Sequence, residues 1–220
     1  AVAGCREKPK SSIMVATELV ALKRADAVIS AGHSGATMVA ALWHLKRLPG
    51  VLRPAIASPV PTAKGVAGLL DAGANTECKP WHLLQFATMG ALYAKHILKI
   101  PKPSIGILSH GEEESKGSDF AKETYKLLSE RLHNFIGNIE ANEIFTGKCD
   151  CVICDGFVGN VMIKVAEGLM ESAGTLLKRE IKKDPIALLG AMLMRSRLNH
   201  IKRYADYSEY GGAPLLGVNG

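Results

Sequence analysis

Asp71, Asn75 and Lys79 stand four residues apart in the stretch LLDAGANTECKPWHLLQFATMGA, residues 69–91. Lys79 has the charge to neutralise a phosphate, and Asn75 has the amide to hydrogen-bond one. Pro80 suits a first helical position, where its missing N–H has no partner to lose. The helix it opens turns free N–H groups toward an anion. Taken singly, Lys79 reads first as a surface lysine before a helix. Three further loops have a similar make-up. Ser30, Gly32, Ser34 and Gly35 form a small polar turn, in which glycine lets the backbone approach a ligand and Ser34 equally suits an N-cap. Residues 110–117 carry Glu112, Glu113 and Glu114, as a solvated face does, with Lys116 between Ser115 and Gly117 as an anion contact. Asp155, Gly156, Gly159 and Asn160 form the fourth group. Asp155 suits a general base or an orienting carboxylate, and Asn160 a donor or an N-cap.

Elements must hold these loops at one edge. Apolar runs at residues 25–31, 68–71, 104–109, 134–140 and 150–155 read as strands, each followed by a turn or polar loop. Helical spacing follows at residues 35–48, after Pro80, at 119–132 and after the GFVGN run. Strands alternating with helices imply right-handed crossovers and a mostly parallel sheet with helices on both faces, and open sheets of this kind bind ligands at their strand ends. Residues 161–204 differ, reading as a protruding helical hairpin around Lys182-Lys183-Asp184-Pro185. Its second arm begins IALLGAMLM, with Ile186, Leu188, Leu189, Met192 and Leu193 flanked by bases that include Lys202 and Arg203. Nine such residues cannot span a bilayer, which needs about 20. They suit docking into an anionic membrane surface, or packing in a dimer interface or core.

The 220 residues suffice for one sizeable α/β domain, and the chain's ends read as those of a fragment of a larger one. Aromatics at 5% leave few stacking platforms for single strands, so nucleic acid is not an expected partner. A net charge of +6 favours anionic partners. The five cysteines, an odd count, suit a reducing compartment. Cys149, Cys151 and Cys154 lack a second ligand pair at zinc spacing and read as core. No Gly-x-Ser-x-Gly elbow, phosphate-binding P-loop or His-Glu-x-x-His motif occurs, so no covalent nucleophile is indicated.

The stretches SSIMVATELV, ADAVISAGHSGA, LLDAGANTECKPWHLLQFATMG, IGILSHGEEESKG, NFIGNIE, CDGFVGNV and YGGAPLLGVNG resemble, in order, the PlsX-type phosphate acyltransferases of bacterial phospholipid synthesis. The resemblance implies an isocitrate/isopropylmalate dehydrogenase-like three-layer fold and attack of inorganic phosphate on a fatty acyl–acyl carrier protein. It implies homodimers at the cytoplasmic membrane periphery, and neither metal nor other cofactor. The resemblance gives positions, and the residues' own chemistry suggests the roles there: Lys79, Lys116 and Asn160 suit donors to phosphate or oxyanion, and Asp155 suits removal or orientation of a phosphate proton. Substrate contacts fall to Ser30, Gly32, Ser34, Gly35, Asp71, Asn75, Gly156 and Gly159. The family usually has Asn-Thr where His33-Ser34 stands, and Asn where Ser109 stands. Rival readings are a carrier- or membrane-binding module without catalysis, and a decarboxylating dehydrogenase on the same fold.

Overall fold

The computed structural model describes residues 1–199 and 212–220. Helices α1 (Val2–Glu7), α2 (Ser12–Ala21) and α3 (Ser34–His44) lead into strands β1 (Ala55–Thr62) and β2 (Gly65–Leu70). Then follow α4 (Pro80–His96), β3 (Ile105–Ser109), α5 (Asp119–Arg131), β4 (Phe135–Glu140) and β5 (Cys151–Ile153). The long α6 (Gly156–Lys183), α7 (Pro185–Leu193) and β6 (Leu215–Leu216) complete the order. The sheet runs β4-β3-β5-β2-β1-β6. Its β4-β3-β5-β2 half is parallel, and β1 joins β2 and β6 antiparallel.

Three layers result. On one face α4 buries Leu83, Phe86, Ala87, Tyr93 and Ala94, the three-four spacing of a core stripe, against Leu70, Ile105, Ile107 and Ile153. A Cβ on Gly90 would stand 2.5 Å from the Cys151 sulfur, so glycine lets α4 lie close to the sheet. On the other face Val60, Leu69, Ile139 and Val152 pack with Met162 and Ile163 of α6. Cys149 and Cys154 lie in that second layer and Cys151 in the first, all three buried as the sequence suggested. Asp150 staples two strand starts: one carboxylate oxygen accepts from Ser104 N–H at 2.8 Å and Ser104 O–H at 2.6 Å.

Two strand expectations need correction. Residues 25–31 form no strand; among the described residues no strand pairs with them, and Ile29 is 96% exposed. The first helical run also ends at His44, because Lys46 takes a left-handed φ of 69°. Conversely β1, with Pro59 and Pro61, was not anticipated as a strand. Its prolines fit because Ala57, of the same parity, points its N–H away from β2 to Pro214 O at 3.0 Å. Pro59 and Pro61 therefore face that same side, beyond the two residues that β6 pairs, where no donor is needed.

Candidate active site

Asp71 is completely buried and organises the loop that follows β2. Its Oδ1 accepts from the N–H groups of Ile56, Gly73 and Ala74 at 3.0, 3.2 and 2.9 Å. Its Oδ2 accepts from Asn75 N–H and the Asn75 amide, both at 2.7 Å. Asn75 also donates to Pro54 O at 2.7 Å, and its carbonyl accepts from Gly156 N–H at 2.7 Å. Five N–H donors from the protein meet the two carboxylate oxygens, which gives Asp71 a structural role in the loop. Asp71 and Asn75, expected to contact substrate, thus spend their hydrogen bonds inside the protein.

Gly156 and Gly159 share that task. A Cβ on Gly156 would meet Asn75 N at 2.7 Å and O at 2.8 Å, and one on Gly159 would meet Asp71 O at 2.0 Å. Both positions therefore need glycine for the first turn of α6 to sit on the loop. Asp155 caps that turn, accepting Val158 N–H at 2.9 Å through Oδ1. The capping role considered for Asn160 falls to Asp155, and that considered for Ser34 falls to His33, whose Nδ1 faces Ala36 N–H at 3.4 Å.

This seating brings three of the four loops around one cleft of about 580 Å³. Ser30, Gly32 and Ser34, Gly73 and Asn160, and Ile56 and Ser58 of β1 are among the residues that line it. The Ser30 hydroxyl accepts from Gly32 N–H at 3.2 Å and lies 3.2 Å from the Thr37 hydroxyl, which shapes the first loop. Gly35 lies outside the lining, beside the His33 ring. Gly73, with φ of 135°, brings its backbone beside the Asn160 side chain, 3.5 Å from where a Cβ would be. Lys164 and Glu167, paired at 2.8 Å, enter the cleft too and were missed in the sequence. Their positions four and seven residues after Asn160 put all three on one helix face, which was the available signal.

Lys79 stands apart from this cleft, exposed at the N-cap of α4, and its backbone N–H donates to His82 Nδ1 at 3.0 Å. Burial and the charges of Arg53 and Lys79 hold His82 below its ordinary pKa, so its Nδ1 stays an acceptor. Arg53, also missed, donates to Glu77 O at 3.1 Å. The Cys78 thiol beside them is pushed up to about 12, first by burial and then by the Asp71 and Asp155 carboxylates. That makes it a poor nucleophile at neutral pH. Lys116 is exposed in the loop after β3 and lines no part of the cleft. The neighbouring Glu112 reaches Lys148 at 2.5 Å instead, and Lys148 also pairs with Glu143. Among the described residues, no His, Cys, Asp and Glu group of three or more could hold a metal ion.

The hairpin forms as expected through residue 199; Lys202, Arg203 and Tyr204 lie outside the described residues. Ile186, Leu189, Met192 and Leu193 are exposed on α7 at 81, 60, 62 and 82%. No helix among the described residues is long and apolar enough to cross a membrane.

A family model described as "Fatty acid synthesis protein" matches residues 1–220. A phosphate acyltransferase of Elusimicrobium minutum is 54% identical over 215 residues, spanning 98% of this chain and 63% of that protein. One from Trichlorobacter lovleyi is 52% identical over 215 residues, 98% of this chain and 62% of its own length. The chain thus spans less than two thirds of these relatives. Among solved structures, a phosphotransacetylase from Streptococcus pyogenes superposes with a TM-score of 0.61 at 18% identity, over 78% of this chain and 59% of that one. A branched-chain phosphotransacylase from Enterococcus faecalis gives 0.52 at 19% identity, over 69% and 62%. At such identity these two show the fold alone, a three-layer α/β arrangement.

Proposed function

We propose that this chain, which belongs to the fatty acid synthesis protein family, carries the core of an acyltransferase that moves a fatty acyl group from acyl carrier protein to inorganic phosphate. The identity of half the residues with proteins named phosphate acyltransferase, across 98% of the chain, is the observation that carries this reading. In the reaction a phosphate oxygen attacks the thioester carbonyl. The C–O bond forms, the C–S bond breaks, and the carrier leaves as thiolate, taking up the proton that phosphate gives up.

Phosphate is already an adequate nucleophile, so the protein's work is to hold it, align it and receive charge on the carbonyl oxygen. Asn160 and the loop of Ser30, Gly32 and Ser34 supply neutral donors at the cleft, with Gly35 shaping that loop from outside the lining. Lys79 at the α4 N-terminus and Lys116 after β3 line no part of the cleft; in this reading they supply positive charge from outside it, on the same strand-end side of the sheet. Asp155 keeps one carboxylate oxygen free of its helix cap and takes or orients the phosphate proton. Asp71, Asn75, Gly156 and Gly159 act in this reading by fixing the backbone between the two groups. The exposed apolar face of α7 supports peripheral membrane association of a homodimer, where a greasy product would be delivered.

The experiment is phosphate-dependent release of thiol from palmitoyl–acyl carrier protein, run on this chain and on one completed to the length of its relatives. Turnover by the completed chain supports the acyltransferase. A folded protein silent in both forms, yet binding carrier or liposomes, would replace it with a non-catalytic binding module.

A further inference from the structure

Residues 27–111 contain eight lysines and arginines but only two carboxylates, Asp71 and Glu77, so this stretch alone accounts for a formal +6, the net charge of the whole chain. Asp71 is buried and fully bonded, which leaves Glu77 as the one exposed acid of the stretch. Helix α4 carries Lys95, is preceded by Lys79 at its N-cap and followed by Lys99 and Lys102, and has no acidic residue of its own.

The outward stripe of α4 runs through exposed Trp81, Thr88, Leu92 and Lys95 to Lys99 just past the helix end, while half-buried Gln85 on the same line is tied to the 50–52 loop, accepting from Leu52 N–H and donating to Gly50 O, both at 2.8 Å. Trp81 and Leu92 are 54% and 53% exposed, and Ile97 at its end is 64% exposed. Arg53 and Lys79 gather at the N-terminal end, where both act on His82. Lys95, His96 and Lys99 lie exposed at the other end. A helix face with apolar anchors, bases at both ends and no acid is complementary to an acidic protein surface.

We propose that this outward face of α4 is the docking surface for the acidic acyl carrier protein. The partner's identity rests on the acyl-transfer reading; the surface rests on charge and exposure. Helix α4 begins beside the Asp71 loop, so any carrier docked along it lies within one helix length, roughly 25 Å, of the strand-end loops. The face suits protein better than lipid, because Gln85 and Thr88 separate its apolar side chains, whereas α7 gathers its own on nine residues.

Fluorescence anisotropy of labelled acyl carrier protein tests this with the chain and its Lys95→Glu/Lys99→Glu variant, neither residue belonging to the proposed chemistry. The expected result is a Kd weakened about tenfold at low salt, with wild-type affinity falling as salt rises. A Lys122→Glu/Lys126→Glu variant on α5 makes the same change in net charge and is expected to keep its Kd. No binding by the wild type, an unchanged Kd on α4, or an equal loss on both helices overturns the proposal. So does a reversal on α4 that spares carrier binding but abolishes binding to phosphatidylglycerol vesicles, or that converts a dimer to monomer. In turnover by the completed chain, docking predicts a raised KM for palmitoyl–acyl carrier protein with kcat and phosphate KM unmoved. Absence of all wild-type turnover would instead count against the acyl-transfer reading.

Discussion

Gly159 lies so close to Asp71 that a Cβ on it would stand 2.0 Å from the Asp71 carbonyl oxygen. The obstacle is backbone, which a flexible side chain cannot relieve by moving. Gly159→Ala should therefore cost roughly 3 kcal/mol, at the upper end for overpacking, as read by urea unfolding. Gly168, in the same helix, has nothing within 4 Å of its would-be Cβ. Gly168→Ala should stabilise by about 0.5–1 kcal/mol, because alanine suits an open helix position better. Equal effects at the two sites would refute the close seating of α6.

Removing the Asp71 carboxylate leaves four backbone N–H groups and the Asn75 amide without it. Asp71→Ala should cost at least about 3 kcal/mol, since each stranded buried donor carries a desolvation penalty. Unfolding free energy at neutral pH checks this, and a loss below 1 kcal/mol would return Asp71 to the list of ligand contacts.

Lys79 joins the fold through its backbone, its N–H donating to His82 Nδ1 and its carbonyl accepting from His82 N–H at 2.8 Å, groups that an alanine retains. Lys79→Ala should leave the unfolding midpoint nearly unchanged while raising the phosphate KM or lowering kcat by tenfold or more, about 1.4 kcal/mol of binding or transition-state energy. Unaltered kinetics would take Lys79 out of the site.

His82 supplies a pH test with a fixed sign. Its folded pKa lies below the ordinary 6.5 because burial, Arg53 and Lys79 oppose its charge. As pH falls through 6.5 the unfolded chain takes up a proton that the folded one resists, so stability declines toward the lower folded pKa and then levels off. Above pH 6.5 His82 contributes no slope. His82→Gln keeps an acceptor at this third helical position and should remove that component of the acid-side decline. Matching wild-type and variant curves between pH 5 and 7 would show that the imidazole is not the titrating group.

Leu189 on α7 is 60% exposed. Leu189→Glu should abolish binding to anionic liposomes while preserving turnover in detergent, because it places a charge where the apolar face would enter the interface. Retained liposome binding would shift the hairpin to a purely protein contact.

How legible the molecule was depended on where each signal lay. The loops of Asp71 and Asp155 announced themselves because strand, glycine and helix start follow one another within ten residues. Which members would face a ligand was not legible, because Asp71, Asn75, Gly156 and Gly159 meet only after the β2 and β5 strand ends pair. Spacing in sequence cannot show that Asp71 receives N–H groups from Ile56 and Asn75 together. Residues 25–31 had a strand's composition without a strand's neighbour, and composition does not report neighbours. β1 was hidden by Pro59 and Pro61, whose tolerance depends on which side of the strand lies open. Arg53 was missed because it contacts the α4 N-terminus from a loop more than twenty residues away.

β5 reaches its central place between β3 and β2 last among the parallel strands, at residues 151–153. Until those residues are made, β2 and β3 have no common neighbour, and the sheet exists as two halves. A chain emerging from the ribosome thus holds Leu69, Leu70, Ile105 and Ile107 without their final neighbour strand until residues 151–153 follow. Such late closure of long-range pairs slows folding and exposes sticky intermediates. The three residues Cys-Val-Ile thus act as a keystone in time as well as in space, because the two halves of the sheet join only when they arrive.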